Sequence, residues 1–320
     1  MRAIIKSITA LTFGALGTVS TASAADVVVG QQNWPSATAT AYIIKAAIEE
    51  NLGLNVELQN GSNPIIFEAM DKGSMDVMPE VWLPNQQNLY DTYVKNKGTV
   101  ELNPNGVPAK QGLCVPAYVV DEMGVASVDD LTDPAKAALF DTDGDGKGNM
   151  WVGNPGDASG NVEKIKAKSY GYDQTMKTEV YDEVVNFANL GNAVKAHKPW
   201  ISACYSPHYI FALYDLKWLK EPAYDASKWH VVQPTDDPDW LSKSSAPVAW
   251  PAASVHVAYR KALDTDKPQV ATFLRNIKLT DEEVSAMTKA LVIDKIEPET
   301  FAKKWIRDHQ SEIAGWFAGK

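Results

Sequence analysis

The sequence has few of the residues that metal and thiol chemistry require. It contains two cysteines and five histidines in 320 residues, and the histidines form no spaced cluster. It also lacks G-x-S-x-G, H-E-x-x-H, phosphate-loop and Cys-x-x-Cys motifs, which argues against the enzyme classes that these motifs define. A Ser206/His208/Asp157 triad can be drawn, but Ser206 and His208 are too close in sequence for a persuasive nucleophile–base pair. The sequence therefore favours a binding protein, with a secreted hydrolase as a weak alternative.

Positive charge and long apolar runs are also scarce. The chain carries 30 Lys and Arg against 40 Asp and Glu, for a net charge of −10. This balance argues against nucleic acid or anionic lipid as a partner. Beyond the first 24 residues no segment is long and apolar enough to cross a bilayer, so direct membrane insertion is not expected.

The first 24 residues read as a secretory signal peptide. Arg2 and Lys6 precede a mostly apolar stretch, and Ala22-Ser23-Ala24 forms a cleavage site. No cysteine stands at the cleavage site, so a lipoprotein anchor is not expected. We predict cleavage near Ala24 and a mature chain free in the periplasm. Loss of the two positive charges takes the net charge from −10 to about −12.

The two cysteines, Cys114 and Cys204, lie in the short apolar segments GLCVPAYVV and ISACYS. In an oxidising compartment two cysteines more often pair than stay free. We predict a disulfide between them, across neighbouring strands.

Strand and helix patterns alternate at the start of the mature chain. They cover Asp26 to Gln31, Ala37 to Asn51, Leu54 to Leu58, Ile65 to Asp71 and Met75 to Val81. This alternation predicts a parallel-rich α/β lobe that binds ligands at the carboxyl ends of its strands. Trp34 and Trp82 both fall at such ends.

A second set of strand and helix signals runs from Gly112 to about Cys204. A β-prone run, Trp200 to Cys204, ends it, and we predict a helix over Ile210 to Leu219 and a strand over Trp229 to Val232. The prediction is an α/β fold of two lobes. Residues 25–111 and 207–320 form the discontinuous first lobe, and residues 112–206 form the inserted second lobe. The crossings near Gln111 and Tyr205 would form the hinge.

Aromatic residues at three separate strand ends, Trp34, Trp82 and Tyr205, suggest a binding site. A methylated ammonium requires such a cluster, because it has few or no N–H groups to donate and is held by ring faces. The alternative is that these are ordinary buried aromatic residues. Stacked aromatic rings also hold sugars, so a calcium-dependent carbohydrate-binding receptor is a second candidate.

Seven segments stand out, and several of them are specific in order and spacing: NWPSATATAYI, PEVWLPNQQNLYD, AKQGLCVPAYVV, ALFDTDGDGKG, GNPGDASGN, YSPHYIFALYDLKWL and WIRDHQSEIAGWF. Through them the mature chain resembles the periplasmic glycine betaine/choline-type binding proteins of ABC importers. The resemblance implies a two-lobed periplasmic binding protein fold with two hinge crossings and the ligand in the interlobe cleft. It implies an aromatic box for a small methylated amine (glycine betaine, choline, carnitine or trimethylamine N-oxide), no cofactor, and a membrane permease as partner.

The resemblance also implies roles for single residues. Trp34 and Trp82 match box tryptophans of the first lobe. Tyr205 stands where relatives usually have Trp, and it keeps a ring face while adding a hydroxyl. His208 follows in the W-x-P-H pattern, where the imidazole of betaine binders reaches the ligand carboxylate.

Three positions depart from the family pattern. Ser36 replaces an Asp that choline binders use for the hydroxyl, and Gln111 replaces an aromatic residue. Asp157 stands where relatives have Trp or an amide. Facing the pocket, it would repel a betaine carboxylate and favour a non-carboxylate amine; alternatively it caps the helix that begins near Ala158. Glu80 is either a pocket anion or a solvated strand-end acid, and we favour the second interpretation.

An acidic loop has part of a calcium-loop pattern. Its carboxylates occupy positions one, three and five, with Gly146 at six, but Val152 stands where the bidentate Glu belongs. Structural calcium is therefore one interpretation and a metal-free polar turn is the other. The carboxylates are Asp141, Asp143 and Asp145.

Overall fold

The computed structural model describes residues 25–318 of the 320-residue chain. The predicted signal peptide, residues 1–24, lies outside the described residues. Between residues 25 and 318, no helix combines the length and the apolar content that crossing a bilayer requires.

The described chain alternates strands with helices from its first element onward. The strands are β1 (Val27–Gln31), β2 (Val56–Asn60), β3 (Val77–Leu83), β4 (Val100–Leu102), β5 (Val107–Pro116), β6 (Gly148–Gly153), β7 (Met176–Val180), β8 (Ser202–Ser206), β9 (Leu216–Trp218) and β10 (Ala253–Arg260).

The α-helices are α1 (Pro35–Leu52), α2 (Asn63–Lys72), α3 (Gln87–Tyr90), α4 (Ala117–Asp121), α5 (Pro134–Ala137), α6 (Ala158–Tyr170), α7 (Glu183–Ala196), α8 (Ile210–Leu213), α9 (Trp240–Lys243), α10 (Leu263–Asp266), α11 (Pro268–Asn276), α12 (Asp281–Val292), α13 (Pro298–Asp308) and α14 (Gln310–Ala318). A π-helical segment, Asp91–Asn96, extends α3, and short 3-10 turns occupy Val128–Thr132, Ala138–Phe140, Tyr172–Gln174 and Ala226–Lys228.

The first lobe is built on a mixed sheet rather than on the parallel-rich one that the alternation predicted. β1 pairs in parallel with β2 and β3, and β10 joins β3 in the antiparallel sense. Between β1 and α1 the backbone of Trp34 is extended, and Pro35 occupies the first helical turn, where its missing N–H is not needed. This turn holds Trp34 at the carboxyl end of β1, as predicted.

β5 is a connection between the two lobes. Its first part, Val107 to Ala109, pairs with β10, whereas Lys110 to Cys114 pair with β8. The strand therefore changes sheets at Lys110, one residue from the crossing predicted near Gln111. The overall sheet order is β2-β1-β3-β10-β5-β8-β6-β7, with β4 on β10 and β9 on β5.

The second lobe has its own sheet and a covalent link. β6 pairs in parallel with β7 and β8, and β9 pairs with β5 in the antiparallel sense. Cys114 of β5 and Cys204 of β8 are joined in a disulfide, with their Cα atoms 5.8 Å apart. The predicted cross-strand bridge is confirmed.

Three local predictions were wrong. In the segment GLCVPAYVV, which we expected to form a strand, residues 117–121 instead form α4, because Pro116 offers no N–H to continue the ladder. The predicted helix over Ile210 to Leu219 stops at Leu213, and residues 216–218 form β9 on the free edge of β5. Residues 229–232 form no strand beyond an isolated bridge between His230 and Ser245.

The lobe boundaries stay a prediction, but the packing favours a later return to the first lobe. Ile210 packs in one second-lobe core cluster and Leu219 in another. Trp250 donates a hydrogen bond to Glu163 of α6. We therefore propose that the chain crosses back between Trp250 and β10 rather than near Tyr205.

Candidate ligand-binding site

A cavity lies where β5 passes between the lobes, and both lobes line it. The centre of a water molecule can move through about 70 Å³ of it, which is enough for several waters or one small organic cation. Its lining combines five aromatic residues with three carboxyl groups and five amides. These are Trp34, Trp82, Trp151, Tyr205 and Trp250; Asp157, Glu163 and Glu183; and Asn63, Asn85, Gln86, Gln111 and Asn154.

In the first lobe, one buried carboxylate holds two indoles of the lining. Trp34 Nε1 donates to Glu80 Oε2 at 2.6 Å, and Trp82 Nε1 donates to the same oxygen at 2.9 Å. The two tryptophans come from the start of α1 and the end of β3. Glu80 thus fixes the orientation of both rings, because each indole has a single N–H donor.

Glu80 itself is 3 % exposed, so the interpretation as a solvated strand-end acid was wrong. Glu80 is not among the residues that line the central cavity. It lies behind the indole rings of Trp34 and Trp82, which donate hydrogen bonds to it. Burial raises the pKa of Glu80, and the two indole hydrogen bonds offset part of the rise. Glu80 is the one polar residue of a strand that is buried on both faces, so the strand lacks the alternation of apolar and polar residues that would show which side faces solvent.

In the second lobe, Glu183 has the corresponding role. The Tyr205 hydroxyl donates to Glu183 Oε2 at 2.8 Å, and His208 Nε2 lies 3.1 Å from Glu183 Oε1. Burial, followed by the nearby Glu183 carboxylate, raises the pKa of the Tyr205 hydroxyl well above its usual value. Tyr205 therefore remains a donor. Glu183 is the first residue of α7, where an acid is common for helix-dipole reasons, so the sequence did not single it out.

Two of the predicted ligand residues lie outside the cavity lining. His208 is buried against Phe187 and Tyr209, and the backbone N–H of Ile210 approaches its Nδ1 at 3.4 Å. The ring therefore presents Nε2–H to Glu183 rather than to the cavity. Ser36 is buried in the first turn of α1. We propose positioning roles for both residues rather than ligand contact.

The predicted residues that do line the cavity meet across the two lobes. Trp82 and Tyr205 pack edge to face with ring centroids 5.2 Å apart. Gln111 and Asn85 exchange two amide hydrogen bonds, at 2.8 and 2.6 Å. These contacts bring the first-lobe and second-lobe halves of the site together, although ligand contact by any of them stays a prediction.

Two lining tryptophans were missed. Trp151 lies near the carboxyl end of β6 and donates to the carbonyl of Tyr181 at 2.7 Å. The strand-end signal that pointed to Trp82 applies equally to Trp151. Trp250 instead precedes β10 and donates to Glu163 Oε1 at 2.6 Å, so no strand-end signal marks it.

Asp157 lines the cavity and stands at the N-cap position of α6 without capping it. Its Oδ2 accepts from the backbone N–H of Asn154 at 2.9 Å and from the side-chain amide of Asn154 at 3.0 Å. Burial raises its pKa to about 6 and the Asn154 hydrogen bonds oppose this, while the Glu183 charge adds to the rise. The side chain therefore presents a carboxyl group to the cavity.

Comparison with known protein families identifies the family to which this chain belongs. Residues 25–308 match the family described as the substrate-binding domain of ABC-type glycine betaine transport systems. The chain belongs to this family. The predicted resemblance is thereby confirmed, and the family is one of solute-binding proteins rather than of enzymes.

Relatives of this glycine betaine-type domain extend along most of the chain. The trimethylamine N-oxide-binding protein of Pelagibacter ubique is 24% identical over 97% of this chain and 98% of its own length. The glycine betaine/proline betaine-binding periplasmic protein of Escherichia coli is 22% identical, covering 78% of this chain and 76% of the relative. Lactococcal OpuAC, solved closed with glycine betaine, is similar with a TM-score of 0.70, 26% identity, and coverage of 91% and 98%. A choline-binding protein with choline has a TM-score of 0.71 at 19% identity over 92% and 91% of the two chains, and shows the shared fold.

The acidic loop of this domain lies in the second lobe, outside the cavity lining. Asp141, Asp143 and Asp145 each offer an oxygen within 4.8 Å of the others. Lys177 of β7 approaches Asp143 Oδ2 at 2.6 Å and Asp145 Oδ2 at 3.2 Å. The side-chain oxygens of Asp141 accept backbone N–H groups of the same loop. The carboxylates thus have partners within the protein.

Proposed function

We propose that this protein is the periplasmic solute-binding component of an ABC importer and holds a small methylated ammonium in an aromatic cage. The observation that carries the proposal is the lining of the interlobe cavity, in which four tryptophans and Tyr205 surround the space together with carboxyl groups. A methylated ammonium offers few or no N–H donors, so ring faces and negative charge are the groups that bind it.

The aromatic rings of the lining can account for most of the free energy of a micromolar affinity. A desolvated ring contributes on the order of 2 kcal/mol to binding such a cation. Three or four rings can therefore supply most of the roughly −8 kcal/mol that a micromolar dissociation constant represents. The relatives support the same chemical class, since their names specify trimethylamine N-oxide, glycine betaine, proline betaine and choline.

Isothermal titration calorimetry with methylated amines beside a panel of sugars tests this function. The amines are choline, glycine betaine, carnitine, trimethylamine N-oxide and tetramethylammonium. We expect micromolar or tighter binding of at least one amine and none of any sugar. Sugar binding without amine binding would instead support the carbohydrate receptor, and turnover of a bound amine would contradict a pure binding role.

Closure of the lobes on the ligand forms part of the proposal, with a membrane permease as the recipient. Residues of both lobes line the cavity, so a ligand that contacts all of them favours the closed arrangement. Small-angle scattering at saturating ligand should show a smaller radius of gyration than without ligand. Superimposable curves would count against closure.

Structural calcium at the acidic loop remains a prediction, and no other cofactor is proposed. Lys177 already forms ion pairs with Asp143 and Asp145, so a calcium ion would have to displace its ammonium group. Thermal unfolding in calcium and in chelator tests the prediction. A higher melting temperature in calcium supports the metal, whereas equal values identify a polar turn held by Lys177.

A further inference from the structure

Trp250 reaches the cavity on a segment that has little regular structure. The other lining tryptophans belong to regular elements or adjoin them: Trp34 precedes α1, Trp82 lies in β3 and Trp151 lies in β6. Residues 219–252, by contrast, contain only a 3-10 turn, the four-residue α9 and isolated bridges. Regular backbone pairing therefore does not fix the position of Trp250, although this residue is only 6 % exposed.

Side chains of α6 hold this segment near both ends of the helix. Asn161 donates to Gln233 Oε1 at 3.0 Å. Ser169 Oγ accepts the backbone N–H of Ala246 at 2.9 Å. The segment therefore takes its position from side chains of α6 rather than from a strand ladder.

A buried ion pair lies between these two contacts. Lys166 Nζ lies 2.7 Å from Glu221 Oε2, and the two side chains are 1 % and 9 % exposed. The hydroxyl of Tyr170 donates to the same oxygen at 3.0 Å. The cost of desolvation offsets much of the attraction within a buried pair, so the value of such a pair can lie in fixing one arrangement of its partners.

A continuous path of contacts joins this ion pair to Trp250. Glu221 is followed by Pro222, whose carbonyl accepts the backbone N–H of Ala249 at 2.8 Å. Ala249 precedes Trp250, and Trp250 Nε1 donates to Glu163 Oε1 at 2.6 Å. Glu163 stands one turn before the lysine of the ion pair, on the same face of α6. The path thus begins and ends on one helix face and holds Trp250 against it.

The ammonium group of Lys166 also acts on Trp250 and Glu163 directly. Its Nζ lies 5.8 Å from the centroid of the Trp250 ring, within the range of a cation–π contact. Burial raises the pKa of Glu163, and the charge of Lys166 is the largest effect that opposes the rise. Lys166 therefore favours the ionised acceptor of the hydrogen bond that orients the indole.

Resting on the proposed function, we propose that Lys166 is a positioning residue for ligand binding, which holds the Trp250 indole in the cavity wall through Glu221 and Glu163. Lys166 is not among the residues that line the cavity, so its effect on the ligand passes through Trp250. The buried ion pair has the role for Trp250 that regular secondary structure has for the other lining tryptophans.

A double-mutant cycle on ligand affinity tests this dependence. Calorimetry uses choline, trimethylamine N-oxide and tetramethylammonium, and the probe that the wild-type protein binds most tightly is used for all variants. Trp250→Ala should weaken binding at least about tenfold, and Lys166→Met at least about fivefold. In the Trp250→Ala background, Lys166→Met should change the affinity by less than about twofold. Additive losses would overturn the proposal, as would unchanged affinity in Lys166→Met alone.

Arg260→Met is the matched control for a general loss of stability. It breaks another partly buried ion pair, in which Arg260 lies 2.9 Å from Asp76, and neither residue lines the cavity. Both Arg260→Met and Lys166→Met should lower the melting temperature, but only Lys166→Met should weaken ligand binding. Equal losses of affinity in the two variants would show a merely structural role and overturn the proposal.

Glu221→Gln tests the same link from the other partner, and it decides the question if Lys166→Met does not fold. The glutamine keeps the shape and an acceptor but removes the charge that Lys166 pairs with. Affinity should fall at least about twofold in the wild-type background and stay unchanged in the Trp250→Ala background. A loss of the same size in both backgrounds would contradict the positioning role.

The outcomes separate this role from the function itself. If none of the three probes binds the wild-type protein, the proposed function fails. If a probe binds and the losses from Lys166→Met and Trp250→Ala are additive, only the role of Lys166 fails.

Discussion

Each lobe holds the side chains of its half of the cavity with a buried glutamate, but the two glutamates lie in different places relative to the cavity. In each half a buried glutamate accepts hydrogen bonds from two ring-bearing side chains: Glu80 from Trp34 and Trp82, and Glu183 from Tyr205 and His208. Glu80 lies behind its indoles, whereas Glu183 itself lines the cavity.

This difference suggests that the two lobes have different roles in ligand binding. The first lobe lines the cavity with the indole rings of Trp34 and Trp82 and holds the buried Glu80 outside the lining. The second lobe contributes the three lining carboxyl groups, of which Asp157 and Glu163 belong to the start and first turns of α6 and Glu183 to α7. We therefore expect the first lobe to supply mainly affinity and the second lobe to determine which amine is bound.

The largest effect should come from removing the covalent link, which the second lobe has and the first lobe lacks. Cys114 and Cys204 are 90 positions apart, so the loop-entropy model assigns their bond about 4.6 kcal/mol of the free energy of unfolding. The Cys114→Ser/Cys204→Ser double variant should unfold at lower denaturant concentration. An unchanged midpoint, or two labelled thiols after alkylation of the wild-type protein without reductant, would contradict this.

Removing an aromatic ring from the first-lobe half of the cavity should have the next largest effect, a loss of ligand affinity. Trp82→Ala removes an indole face and its edge contact with Tyr205, and we expect at least about tenfold weaker ligand binding with the fold retained. Calorimetry measures the affinity, and circular dichroism measures whether the fold is retained. Trp218→Ala is the matched control, because Trp218 stacks on Phe211 away from the cavity lining. Unchanged affinity in Trp82→Ala would remove Trp82 from the cage.

The comparison of the two glutamates is sharpened by neutralising each in turn. Glu183→Gln keeps an acceptor for Tyr205 but removes a charge that lines the cavity, so affinity for choline should fall about fivefold, or about 1 kcal/mol. Glu80→Gln keeps an acceptor for the indoles and should change affinity by less than about twofold. Equal losses in both variants would show that the two halves are not functionally different.

Ionisation of Asp157 should have the smallest effect on ligand affinity, and its raised pKa predicts the direction of that effect. Its pKa of about 6 is raised mainly by burial. A bound cation favours the ionised form, so affinity for choline should increase about threefold from pH 5 to pH 7 and then level off. Asp157→Asn should abolish this dependence, weaken choline binding and strengthen glycine betaine binding.

The stability of the unliganded protein should move in the opposite direction to choline affinity. Because the folded-state pKa of Asp157 lies above its unfolded value, the stabilisation is complete below the unfolded pKa, near 3.8, and is lost as the pH rises through about 6. Asp157→Asn should therefore raise the melting temperature at pH 7 to 8. A lower melting temperature with unchanged affinities would instead indicate a purely structural role at the start of α6.

Much of the fold and part of the site were predictable because they depend on local patterns. Alternating strands and helices indicated the α/β lobes, and Pro35 after a strand placed Trp34 at its carboxyl end. The disulfide followed from having two cysteines in strand-like segments. β9 was missed because its residues form a strand only where the edge of β5 is available for pairing.

The sequence alone was sufficient for the family, the two-lobed α/β class and three of the aromatic residues that line the cavity, because these follow from segment order and from residues at strand ends. Tertiary structure decided the rest. Glu80 looked like a solvated acid until its indole partners were in place, and Trp250 and Glu163 meet only because the chain returns across the second lobe. Burial and hydrogen-bond partners come from residues distant in sequence, and they determine whether a carboxyl group faces solvent, supports a ring or faces a ligand.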